Sequence, residues 1–141
     1  MAIHFFAEGI DFKLPHPRKT SQWIKEVIRR EGASPGDINY IFCSDAYLLA
    51  INKAYLKHST FTDIITFDLG DEASAAVISG EIYISVERVR ENAIKFARPW
   101  YEELHRVIIH GVLHLLKYSD KGRASKALMR KKEEACLSLL P

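Results

Sequence analysis

The sequence predicts an α+β fold: one domain over residues 1–141, built as a four-stranded mixed sheet covered by about five helices in the order β-α-β-α-β-β-α-α-α. Three observations predict it. Short β-branched or aromatic runs are interleaved with longer segments of helical periodicity. The 141 residues suit a single core, and no repeat, low-complexity tract or internal linker divides them. Hydrophobic content of 48% and aromatic content of 11% are those of a soluble globular chain. No apolar run approaches the roughly 18 residues that span a membrane.

The elements follow in order. Ile3–Ala7 reads as the first strand, and Leu14-Pro-His-Pro17 breaks the chain after it. Thr20 or Ser21 is placed to cap a helix running to about Arg30, with Trp23, Ile24, Val27 and Ile28 on one face. Gly32–Gly36 reads as a loop, Ile38–Cys43 as the second strand, and Asp45–Leu56 as a helix carrying Leu48, Leu49, Ile51 and Tyr55. Thr62–Phe67 is the third strand; Gly70–Ser79 reads as a loop to which Ala75–Ile78 could add strand. Glu81–Val86 is the fourth strand and Glu87–Ala97 the third helix. Pro99 suits the first turn of a helix entered by Trp100 and Leu104, and a last helix runs from about Ala124 to Leu139.

The chemistry concentrates between Leu104 and Gly122, which hold three of the six histidines. His110 and His114 stand four apart, so one helix face carries both, with Cβ atoms roughly 5–6 Å apart. Continued helix would carry Asp120 to another face and about 9 Å down the axis. Asp120 joins the pair only if the helix stops near Lys117–Tyr118, where Ser119 and Gly122 permit a turn. The pattern is then His-x-x-x-His-x-x-x-x-x-Asp: two nitrogens and one carboxylate, leaving an open position as in catalytic sites, and a donor set suited to one Zn2+. A histidine pair at this spacing is often only a hydrogen-bonded or surface pair. Here Val107, Ile108, Ile109, Val112, Leu113, Leu115 and Leu116 surround it, and buried imidazoles need partners. Gly111 stands where the peptidase signature H-E-x-x-H has its glutamate, which argues against that chemistry. His105 lies off the His110 face, and His4 and His16 belong to no constellation.

His110-Gly-Val-Leu-His114-Leu-Leu-Lys117-Tyr118-Ser119-Asp120 resembles the H-G-x-L-H-L-x-G-Y-D-H signature of the YbeY family. Thr62-Asp-Ile-Ile-Thr-Phe67 is similar to that family's T-D-V-L-S-F, and Gly80-Glu-Ile-Tyr-Ile-Ser85 to its G-D-I-x-I-S, in family order and spacing. The resemblance implies the same fold and a single-strand-specific, metal-dependent endoribonuclease acting in rRNA maturation at the 16S 3′ end and in ribosome quality control. Its partners would be single-stranded rRNA and the ribosome or small-subunit proteins. It places Thr62 and Asp63 near substrate. Three departures stand out. Asp120 takes the place of the third metal-binding histidine, and Lys117 replaces a glycine where the turn calls for positive φ. Tyr55-Leu56 stands where the family usually has Tyr-Arg, an arginine implicated in cleavage, leaving Lys57 or His58 to supply the positive or proton-transferring group. The rival reading is a non-catalytic RNA-binding assembly factor with a structural metal.

The net charge of +2 is unevenly spread: Val86–Lys132 holds twelve Lys or Arg against five Asp or Glu. Seven of those cations, among them Lys126 and Arg130, lie between Lys117 and Lys132. Such a run is ordinarily a solvated face; beside an open metal site it is also a surface for RNA phosphates. Cys43 and Cys136 form no C-x-x-C and read as buried reduced thiols; with an N-terminus lacking the basic and apolar regions of a signal peptide, they point to the cytoplasm.

Overall fold

The computed structural model describes residues 2–71 and 76–140. Strands β1 (Ile3–Glu8), β2 (Ser34–Cys43), β3 (Ile64–Asp68) and β4 (Val77–Ser85) form one sheet in the order β1-β2-β4-β3. β1, β2 and β4 run parallel and β3 is antiparallel to β4, so the sheet is mixed, as expected. Five helices accompany it: α1 (Pro17–Arg30), α2 (Asp45–Tyr55), α3 (Val86–Lys95), α4 (Trp100–Leu115) and α5 (Arg123–Leu137).

Strand alternation divides the apolar residues between two faces. Ile38, Tyr40, Phe42, Ile82 and Ile84 share the main core with Trp23, Ile24, Val27 and Ile28 of α1 and Leu104, Ile108 and Val112 of α4. On the other face Cys43 and Ile65 pack with Leu48 of α2. Two polar groups tie the layers: the Tyr40 hydroxyl donates to the Ile108 carbonyl (2.8 Å), and Trp23 Nε1 donates to the Cys136 carbonyl (2.9 Å). Burial pushes the Cys43 thiol up to about 12 and that of Cys136 to about 11, so both are unreactive.

Several boundaries differ from the sequence reading. α1 starts at Pro17 rather than after a Thr20 or Ser21 cap, because proline suits the first helical turn. Buried Thr20 turns its hydroxyl back to the His16 carbonyl instead. β2 begins at Ser34, inside the expected Gly32–Gly36 loop. Pro35 is tolerated there because β1 reaches only to Ile38, leaving this end of β2 an edge, and the register shifts between Pro35 and Ile38. A Cβ on Gly36 would fall 2.1 Å from the Ser79 hydroxyl oxygen. β4 likewise starts early, at Val77; residues 72–75 of the expected Gly70–Ser79 loop, including Ala75, lie outside the described residues. No helix among the described residues is long and apolar enough to cross a membrane.

Candidate metal centre

α4 packs tightly beneath β3 and β4 at Gly111. A Cβ on Gly111 would sit 2.9 Å from two Ile82 carbons and 3.2 Å from Ile64 Cδ1. Position 111 therefore faces the sheet, where no glutamate would fit, and His110 and His114 stand on the flank facing a cleft. His105 is buried on another side, with Nδ1 2.8 Å from the Tyr101 carbonyl, which leaves it out of the centre.

The helix stops where the sequence requires. Lys117 adopts φ +76°, its N–H reaches the His114 carbonyl (2.9 Å), and Tyr118 N–H reaches the Leu113 carbonyl (3.0 Å). This is a Schellman turn made with lysine instead of glycine. Lys117 also pairs with Asp68 at the end of β3, and the Tyr118 hydroxyl donates to Glu31, the C-cap of α1. Lys132 bonds the same Glu31 (3.2 Å) and lies over the Tyr118 ring. Held from several sides, the chain turns back and presents Asp120.

The result is a compact triangle. His110 Nε2 and His114 Nε2 are 2.9 Å apart, and Asp120 Oδ2 lies 3.5 Å from the first and 3.3 Å from the second. Ligands at roughly 2.0–2.2 Å in tetrahedral array stand about 3.3–3.6 Å from one another, so both edges to Asp120 match one ion with a position left open, and the His110–His114 edge comes within about 0.4 Å of it. His110, His114 and Asp120 thus form a group able to bind a metal ion.

A fourth residue completes the arrangement, and the sequence reading missed it. Glu133 of α5 places Oε2 2.6 Å from His110 Nδ1, so its carboxylate accepts a hydrogen bond from Nδ1–H and leaves the Nε2 lone pair for a metal. Arg106, nearly buried on α4, reaches Glu133 (3.4 Å) and also pairs with Glu134. A signal was present: Glu133 lies four after Met129 and three before Cys136, on the buried stripe of α5. Burial opposes a charge on His110, but Glu133, Asp63 and Asp120 outweigh it and raise its pKa. Burial and the neighbouring His110 lower that of His114.

The cleft, about 930 Å³, is walled by α4, β3 and the loop before it. His58, Thr62 and Asp63 line it, as does Leu56, the position of the missing arginine. Burial raises the Asp63 carboxyl, with the His110 charge opposing, and Asn92 Nδ2 lies 3.4 Å from it. Lys57 takes φ +56° in the same loop and does not line the cleft. Lys126 and Arg130 are exposed on α5 and are not on the cleft wall either. With Lys121, Arg123 and Lys131 they form no ion pair among the described residues, whereas Lys117 and Lys132 do.

A family profile described as "Endoribonuclease YbeY" matches residues 9–141. A curated relative of that name from Flavobacterium psychrophilum is 54% identical over 136 residues, covering 95% of this chain and 94% of its own. One from Parabacteroides distasonis is 45% identical, covering 100% of this chain and 97% of its own. A Thermotoga maritima protein solved in solution superposes with a TM-score of 0.67 at 26% identity, over 97% of this chain and 87% of that one.

Proposed function

Because the chain belongs to the YbeY family, we propose that it is a metal-dependent endoribonuclease specific for single-stranded RNA, acting in the cytoplasm on rRNA during 16S 3′-end maturation and ribosome quality control, with the ribosome or its small-subunit proteins as partners. The observation that carries the reading is the triangle of His110, His114 and Asp120 opening onto the cleft, with Glu133 behind His110. In this reading the three side chains hold one Zn2+, for which two imidazoles and a carboxylate are a suitable donor set. A divalent ion held there supplies Lewis acidity toward a phosphoryl oxygen and acidifies water. Glu133 fixes the His110 tautomer, and Arg106 holds Glu133 in place. Thr62 and Asp63 meet the RNA on the β3 side of the cleft. His58 on the cleft wall, with Lys57 beside it, supplies the positive or proton-transferring group that Leu56 cannot. Lys126 and Arg130 meet phosphates beyond the cleft.

The test is single-turnover cleavage of single-stranded RNA by wild-type, metal-stripped and His114→Ala protein. Wild type should cut, stripping should abolish cutting, and added Zn2+ should restore it in wild type only. Equal rates from metal-free or correctly folded His114→Ala protein would contradict the reading. One observation favours a second reading, a non-catalytic RNA-binding assembly factor with a structural metal: the Lys and Arg side chains on the described cleft wall are only Lys121 and Arg106, the latter tied up with glutamates. Tight RNA binding without metal-dependent cleavage would establish that alternative.

A further inference from the structure

β3 is an edge strand, and its unpaired edge borders the cleft. Which backbone groups are free follows from the ladder. Ser85 N–H donates to the Asp63 carbonyl (2.9 Å) and Leu69 N–H to the Ser79 carbonyl (3.0 Å). In an antiparallel pair the residues of that parity turn both polar groups toward the partner strand, and those between turn theirs away. Residues 63, 65, 67 and 69 therefore bond β4, while Ile64, Thr66 and Asp68 direct N–H and C=O outward. Among the described residues only the Thr62 hydroxyl meets one of these six groups, donating to the Ile64 carbonyl at 3.3 Å. Ile64-Ile-Thr-Phe-Asp68 carries no lysine, proline or bulge to blunt the edge, and its one charge, Asp68, sits at the end of the strand paired with Lys117.

We propose that this edge reads the bases of single-stranded RNA, one nucleotide for every second residue, at Ile64, Thr66 and Asp68. The inference rests on the endoribonuclease reading above and specifies how that cleft takes its substrate. Each outward residue offers one donor and one acceptor side by side, the complement of a Watson–Crick base edge. The outward positions recur about every 6.8 Å, twice the roughly 3.4 Å rise of a stacked nucleic-acid strand, so the register suits a strand drawn out until its bases unstack. Phe61, 53% exposed on the cleft wall with Arg88 over its ring, offers a face on which a splayed base stacks. A duplex cannot use such an edge, because its Watson–Crick groups are already paired. The sheet edge thereby accounts for preference for single strands without calling on the two basic side chains of the cleft wall, Lys121 and Arg106.

Amide hydrogen exchange, resolved by residue, tests this on the zinc-loaded protein, free and saturated with a short 2′-O-methyl single-stranded oligonucleotide. In the free protein the amides of Ile64, Thr66 and Asp68 should exchange fast and those of Ile65 and Phe67 slowly. The oligonucleotide should slow the first three by about tenfold or more and leave the other two unchanged. An abasic strand of equal length and charge, and a duplex, should give no such slowing. Binding with no change at the three amides, or equal protection from the abasic strand, would overturn the proposal while leaving the endoribonuclease reading intact. Protection by a basic peptide but not by the oligonucleotide would assign the edge to a protein partner and overturn it too. Failure of every RNA to bind would remove both readings together.

Discussion

The two walls of the cleft are built differently. On the metal side, the turn after α4 is closed by two Schellman hydrogen bonds and tied by Tyr118 to Glu31 and by Lys117 to Asp68. Behind it Arg106 and Glu133 fix His110. On the opposite side, the loop between α2 and β3 hangs largely on one buried side chain. The Asn52 side chain donates through Nδ2 to the Thr60 carbonyl (2.8 Å), and the backbone carbonyl of the same residue accepts from His58 N–H (3.2 Å). Leu56 and Phe61 stand half-exposed there. The contrast separates two tasks. A metal needs its ligands fixed before it arrives, while a polymeric substrate needs a wall that can adjust around it.

Breaking the rigid wall should have the largest effect. Glu133→Gln keeps size but loses the charge that holds the His110 Nδ1 proton, and metal affinity should fall about 10–100-fold. The same charge raises the His110 pKa above its ordinary 6.5 despite burial. Protons then compete with metal from above that value downward, so affinity should drop as pH falls. In Glu133→Gln this acid limb should move to lower pH. Competition titrations across pH check both, and an unchanged limb would remove Glu133 from its role.

A pair of smaller changes sharpens the comparison. Tyr118→Phe releases the turn from Glu31 and should weaken metal binding about 3–10-fold, a part of the roughly 1.5–3 kcal/mol that a hydrogen bond to a charged group contributes, since Lys132 still holds Glu31. Asn52→Ala should leave metal affinity unchanged and weaken RNA binding by a similar factor, because only the substrate wall loses its anchor. Equal effects of the two variants on metal affinity would erase the distinction.

The smallest effect belongs to the outer face of α5. If Lys126 and Arg130 contact two phosphates, the double change Lys126→Ala with Arg130→Ala should flatten the slope of log affinity against log salt by about 1.4. An unchanged slope would make them a solvated helix face.

What was legible in the sequence follows the same division. The His110–His114 spacing and the stop before Asp120 are local, set by helix periodicity and by a turn that Lys117 makes at φ +76°. The strands were legible where β-branched and aromatic residues cluster, as in Ile38–Cys43. They were not legible at Ser34–Asp37, where Pro35 and Gly36 read as breakers although this stretch of β2 lies beyond the end of β1. Glu133 escaped because it is 23 residues from His110 in a charged run, and only the docking of α5 on α4 brings them together. The loop contacts of Asn52 escaped because an asparagine within a helix carries no signal of what it will hold.

The most direct measurement is a zinc competition titration of wild type, Asp120→Ala and Asp120→His, with folding checked for each. One ion per chain is expected in wild type. Asp120→Ala should bind it at least about tenfold more weakly, with two protein ligands left, while Asp120→His should retain it, since imidazole is a competent ligand at that position. Asp120→Ala protein that binds one zinc ion as tightly as wild type would contradict the account.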